Sequence, residues 1–302
     1  MVERITASNE VSWIRLNDAA PEELAALVRE AKLSPGDAEF IVNNHQRPDV
    51  FVMDGYVVLL IHVPVFDRET RVTSATPLYF VVCEKTVWTV QEESIPVLGK
   101  LWQDFNENDV KRDEYFSEGA MGLALHIADT VQAGSFKKLS RLSKHIDIAE
   151  DAIFHGHERQ MVEEVSLLMR DVMDFRKIIR SQVALFATLP EHKFVTDELA
   201  VEWRRLNGQM RKSWDILEGL FESTKELEKT NSRLLQHKEN ELLRMLTYYS
   251  IFSIPALYIF QAVNPFASGV SSTMLILYWG LLGLLVVTLA VIFLRFKRKR
   301  VL

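Results

Sequence analysis

Residues 273–294, TMLILYWGLLGLLVVTLAVIFL, form a run of 22 without a charged side chain. A bilayer hydrocarbon core of about 30 Å takes about 20 helical residues. Helices of soluble cores seldom stay apolar around their whole circumference for six turns. The run therefore predicts a membrane-spanning helix over 273–294. A second uncharged segment, MLTYYSIFSIPALYIFQAV at 245–263, predicts a first span over 244–263. It carries Thr247, Ser250, Ser253, Gln261 and Pro255. Polar groups inside a span face water or a bundle interior, so this helix lines a pore or makes a polar helix–helix contact.

The loop between the spans, NPFASGVSS at 264–272, is uncharged, whereas both outer flanks are basic: Arg233, Lys238 and Arg244 on one side, the tail RFKRKR within 295–302 on the other. Positive flanks stay on the cytoplasmic side. The expected topology has both termini in the cytoplasm, the loop in the periplasm and the chain in a bacterial inner membrane. Charge is divided in the same sense. The first 243 residues hold all 41 acidic and 29 of the 35 basic side chains, a net −12, and the last 59 hold six basic and no acidic ones. A basic end adjoining a span is a lipid anchor and topology signal, not a nucleic-acid arm. The single cysteine, Cys83, excludes an internal disulfide framework and fits a reducing compartment. The N-terminal MVERITASNEVSW lacks an apolar stretch, so no cleavable signal is expected.

Ahead of the first span, apolar or small residues recur in alternating steps of four and three: Leu199, Trp203, Leu206, Met210, Ser213, Leu217, Leu220, Thr224, Leu227, Asn231, Leu234. This heptad seam predicts one long helix from about 197 to 263, too long to be stable without partner helices. The partners are expected at 121–153 and 159–188, with a turn at His155–His157. The N-terminal part is rich in Val, Ile, Phe and Tyr at 11–16, 49–66 and 77–91, which predicts strands with hairpin turns at Asp54-Gly55 and Glu84-Lys85. Helices are expected at 21–31 and 34–44, begun by Pro21 and Pro35. The fold class is thus an α+β cytoplasmic domain over 1–120, a helical bundle with the stalk helix over 121–243, and two C-terminal transmembrane helices.

This organisation resembles the CorA family of divalent-cation channels. The most specific local match is KENELLRMLTYYSIFSIP, where Asn240-Glu241, Arg244, Leu246-Thr247 and Pro255 stand at the family's spacing. Weaker matches are RPDVFVMDGYVVLLIHV at 47–63 and VWTVQEE at 87–93. The resemblance implies a funnel-shaped homopentamer in which five first spans enclose a pore. It implies that Asn240, Leu243, Thr247, Ser250, Ile254, Leu257, Gln261 and Asn264 face the axis; helical spacing puts them on one side. Five copies of Leu243, Ile254 and Leu257 would form apolar collars able to gate by dewetting; helix–helix packing is the other role open to them.

The chain departs from the family at two places. The family ends its first span in Gly-Met-Asn, and this sequence does not contain that tripeptide. An ungapped count from Pro255 puts Asn264-Pro265-Phe266 there, and a two-residue deletion puts Ala262-Val263-Asn264 there. The second is preferred, because an amide ring can hydrogen-bond the water shell of a dication and a phenyl ring cannot; Mg2+ gives up its waters reluctantly. The family also often carries acids in the outer loop, and this loop has none.

His155-Gly156-His157-Glu158 offers imidazole and carboxylate at a turn, a candidate metal site at His155 and His157 and a reason to keep Zn2+ beside Mg2+. A solvated turn explains the same residues. No phosphate-binding glycine loop, dinucleotide fingerprint or nucleophile elbow occurs, so neither an enzyme nor a bound cofactor is expected. The expected function is passage of Mg2+ or Zn2+ through a pore. The alternatives are a non-conducting membrane scaffold and a membrane-tethered metal sensor.

Overall fold

The structure, a computed structural model, describes residues 2–42, 47–67, 71–188 and 195–263, together with Ile276, Trp279, Gly280, Gly283 and Val287. The chain divides into two compact units, Met1–Ser232 and Arg233–Leu302.

The first unit is built on a six-stranded sheet. Its strands are β1 (Val2–Thr6), β2 (Ser12–Asn17), β3 (Asp49–Val52), β4 (Val57–Asp67), β5 (Val72–Val82) and β6 (Thr86–Gln91), in the spatial order β1-β2-β6-β5-β4-β3. All neighbours are antiparallel except β2 and β6, which run parallel with Trp13 opposite Val87 and Leu16 opposite Val90. Both expected hairpins form at the expected turns. Met53 N donates to Tyr56 O at 3.0 Å across Asp54-Gly55, and Cys83 N to Thr86 O at 2.8 Å across Glu84-Lys85.

Strands β2, β4, β5 and β6 read as continuous apolar runs because both faces of the sheet are covered. On one face, Ile14, Leu16, Val58, Leu60, Tyr79, Val81, Trp88 and Val90 pack with Leu27 and Ala31 from the first helical segment, α1 (Pro21–Glu30), and its exit, and with Ile41 of α2 (Pro35–Val42). On the other face, fully buried Trp13 donates from Nε1 to Thr89 Oγ1 at 2.9 Å. It also makes edge contacts with Trp102 and Phe105 of α3 (Pro96–Glu107) at centroid distances of 4.8 and 6.0 Å. Burying one large aromatic of this kind contributes roughly 2–3 kcal/mol.

Three helices begin at side-chain acceptors. Glu23 accepts from Ala20 N at 3.0 Å at the head of α1, and Asn108 accepts from Lys111 N at 3.0 Å at the head of α4 (Asp109–Phe116). Thr196 Oγ1 accepts from Leu199 N at the head of α7 (Asp197–Val263). Such side-chain acceptors satisfy amides that the helix leaves free. Helices α5 (Gly119–Phe154) and α6 (Glu158–Ala187) form the expected hairpin. Gly156, at φ +93°, makes the turn between them; an L side chain there would be strained. Gly134 lets α5 approach α3 closely, since a Cβ at that position would come within 2.9 Å of Val97.

Within this unit α7 turns its heptad seam inward. Leu199, Trp203, Leu206, Met210, Ser213, Leu217, Thr224, Leu227 and Asn231 are all buried, and Leu220 is half-buried. Trp203 Nε1 donates to Phe186 O at 3.0 Å, and Gln132 Nε2 of α5 donates to Ser213 Oγ at 2.8 Å. The second unit contains α7 from Arg233 onward. Among the described residues, no helix is long and apolar enough to cross a membrane. Thr247, Ser250 and Ser253 interrupt the apolar residues of α7, and the run 273–294 lies outside the described residues but for the five positions named above.

Candidate functional site

Between Leu242 and Ile254 α7 exposes most of its large apolar residues. Leu242, Leu243, Met245, Leu246, Tyr249, Ile251 and Ile254 are all exposed, at 41% to 72%. So many large apolar groups around the circumference of one helix need a covering from lipid, from other helices or from both. The expected row lies on this surface: Asn240, Leu243, Thr247, Ser250 and Ile254 are exposed, one turn apart. Thr247 Oγ1 donates to Leu243 O at 2.8 Å, so its proton is used within the helix and its lone pairs remain for an outside donor such as a water of a hydrated ion. Pro255 lies inside the helix and has no N–H, which leaves the carbonyl of Ile251 without its i+4 donor and free to accept from water. Leu257 and Gln261 continue the row by position in α7; Asn264, Pro265 and Phe266 lie outside the described residues.

The candidate metal pair at the α5–α6 turn is exposed on both members. His155 sits over the end of α5, with Nδ1 2.8 Å from Asp151 O and 3.3 Å from Asp151 Oδ1, while His157 precedes α6. Among the described residues no group of three or more His, Cys, Asp or Glu is placed to hold a metal ion.

Two charged sites in the first unit come from residues far apart in sequence. Lys138 of α5 is 85% buried between Phe66 and Phe175, 5.3 and 5.0 Å from their centroids, and 3.8 Å from Asp171 of α6. Its Nζ donates to Thr73 Oγ1, which in turn donates to Asp171. Burial pushes this ammonium down to about 8. Arg176 of α6 lies over Phe221 and Trp214 of α7 and binds Glu218 at 2.5 Å. Beside the heads of α5 and α7, a cavity of about 720 Å3 is lined by Glu84, Glu118, Glu198 and Glu202 with Cys83 and Leu199. Burial pushes the Cys83 thiol up to about 11, which keeps it protonated and unreactive at neutral pH. A further pair that the sequence reading passed over is His237 and Glu241, one turn apart on α7; the i, i+4 spacing in HKENE was its signal.

A double-covered mixed sheet, a long helical hairpin and a 67-residue helix that exposes large apolar residues between Leu242 and Ile254 define a class of α+β proteins with a long stalk helix. Residues 8–298 match the family described as CorA-like Mg2+ transporter protein, and the chain belongs to that family. The cobalt/magnesium transport protein CorA of Methanocaldococcus jannaschii is 21% identical over 253 residues, covering 80% of this chain and 76% of the relative. The protein of the same description from Thermotoga maritima is 20% identical over 261 residues, covering 83% and 72%. The complete structure of the CorA magnesium transporter from Methanocaldococcus jannaschii superposes with a TM-score of 0.78 at 19% identity, covering 97% of this chain and 92% of that one, a likeness of fold. The chain is therefore a member of a family of divalent-cation transporters and not an enzyme.

Proposed function

We propose that this protein is a homopentameric channel for Mg2+ or Zn2+ in a bacterial inner membrane, with the pore enclosed by five copies of the C-terminal part of α7. The observation that carries this reading is the exposed row Asn240, Leu243, Thr247, Ser250 and Ile254, set in a helix that also exposes Leu242, Met245, Leu246, Tyr249 and Ile251. Five such helices would cover the flanking leucines against one another and against lipid, and would turn the polar members of the row toward water. The first span is assigned to 244–263, the loop to 264–272, the second span to 273–294 and the basic tail 295–302 to the cytoplasm. An amide ring at Asn264 would hydrogen-bond the water shell of the ion without stripping it, which suits Mg2+. Influx would follow the membrane potential, worth about 2.3 kcal/mol per charge per 100 mV.

The missing Gly-Met-Asn and the uncharged loop favour a second reading, a regulatory scaffold of CorA form that does not conduct; a membrane-tethered metal sensor would rest instead on the histidine turn and the acidic domain. Purified protein in liposomes, offered Mg2+, Zn2+, Co2+ and Ni2+ side by side with an Asn264→Ala variant, separates the channel from both. Saturable uptake of one dication, lost or altered in the variant, is expected. Intact pentamers without flux for any dication would leave the scaffold or the sensor.

A further inference from the structure

His237 and Glu241 lie one turn apart on α7, just before the uncharged segment. His237 Nδ1 is 3.7 Å from Glu241 Oε1, and the side chains are 73% and 56% exposed. Helix neighbours at i and i+4 share a face, so an imidazole nitrogen and a carboxylate oxygen are already within reach of one metal ion. Both are ligands for first-row transition metals, whereas Mg2+ prefers oxygen and holds its waters. The flanking side chains Arg233 and Arg244, one turn to either side, oppose any cation held by charge alone. That leaves coordination bonds as the source of affinity and selects metals that gain from nitrogen. Within one chain the described residues offer no group of three or more such ligands. The pair therefore supplies two, and the remaining positions go to water.

We propose that His237 and Glu241 form a transition-metal site at the cytoplasmic end of the first span, taking Zn2+, Co2+ or Ni2+ in preference to Mg2+. The place of the pair at the end of a span rests on the pore reading; the two-ligand chelate on each helix does not.

The test is a Co2+ titration of the full chain in detergent, read by visible d–d absorption, with Mg2+ and Zn2+ as competitors. The wild type is expected to bind Co2+, to release it to Zn2+ and to keep it against a large excess of Mg2+. His237→Ala and Glu241→Gln each weaken binding about tenfold or more, the exchanged variant H237E/E241H retains it, and His155→Ala leaves it unchanged. Both positions are exposed on a helix, and far-UV circular dichroism with size exclusion verifies that the variants keep the fold. Absence of Co2+ binding, binding indifferent to His237, or displacement by an equal concentration of Mg2+ overturns the site. Mg2+ flux measured on the same preparations keeps the two ideas apart. Flux without His237-dependent binding removes the site alone, and His237-dependent binding without flux removes the channel and leaves the chelate.

Discussion

Arg176 is held at once by two rings and a carboxylate, with its guanidinium 4.1 Å from the centroid of Phe221, 5.3 Å from that of Trp214 and 2.5 Å from Glu218. Only a flat, delocalised cation stacks on one ring and donates in plane to a carboxylate. Arg176→Lys is therefore expected to lower stability by about 1–2 kcal/mol, seen as a lower thermal midpoint; an unchanged midpoint would show the rings to be mere neighbours. Lys138 makes a pH-dependent contribution. Its folded value of about 8 lies below the ordinary 10.5, so between those limits the unfolded chain binds more protons and stability rises with pH. The cost of keeping the ammonium buried is complete below pH 8 and has gone above 10.5, at most about 3 kcal/mol. Cys83, pushed up to about 11, works in the opposite sense from pH 9, so the comparison belongs between pH 7.5 and 9. There the wild type should gain stability relative to Lys138→Met, and parallel curves would refute the assignment. At pH 7 the same variant should lose about 3 kcal/mol because Asp171 stays buried without its partner, and K138M/D171L should recover most of that. None of these sites was legible in the sequence, since Thr73 is 65 residues from Lys138 and 98 from Asp171. Only the helical hairpin on the sheet brings them together.

Elements were more legible than sites, for a physical reason. The α7 seam repeats one spacing over ten turns, and the hairpin turns carry residues suited to them, so local pattern and tertiary packing agree. The β1 strand was missed because VERIT has a single buried residue, Ile5, and edge strands of this kind show no apolar alternation. The α3 helix was passed over although Leu98, Leu101 and Phe105 mark its inner face; twelve residues give too few repeats to stand out. In the seam itself the polar members differ in their satisfaction. Ser213 accepts from Gln132 and Thr224 Oγ1 donates to Leu220 O, but the buried Asn231 Oδ1 has no hydrogen-bond partner among the described residues. A buried acceptor left unpaired costs about 1–3 kcal/mol, and a polar residue at one seam position also fixes the register of helix packing. Asn231→Leu should accordingly raise the thermal midpoint, by an amount corresponding to about 1 kcal/mol, while allowing the helices a second register detectable by cysteine cross-linking between α6 and α7. A lowered midpoint would mean that Asn231 has a partner in the assembled protein.

At the scale of the whole molecule, the apolar row members decide whether the proposed pore is closed at rest. Five Leu243 side chains at one level, with five Ile254 three turns on, would enclose a path too apolar to hold continuous water. A dication that keeps its hydration shell then meets a barrier set by dewetting rather than by charge. Leu243→Asn replaces an isobutyl group with an amide of similar size, so it wets the constriction without widening it much. In liposomes under an inside-negative potential the variant should carry Mg2+ about tenfold faster or more than the wild type at high internal Mg2+, because a barrier lowered by 1.4 kcal/mol gives one factor of ten. Collapsing the potential should slow both, since each dication moving inward gains about 4–5 kcal/mol per 100 mV from its two charges. A wider hole is the competing explanation of faster flux, and Leu243→Ala tests it. Alanine removes volume but adds no polarity, so dewetting predicts a smaller gain for alanine than for asparagine. The reverse order would show that steric closure at Leu243, not its dryness, holds the ion back.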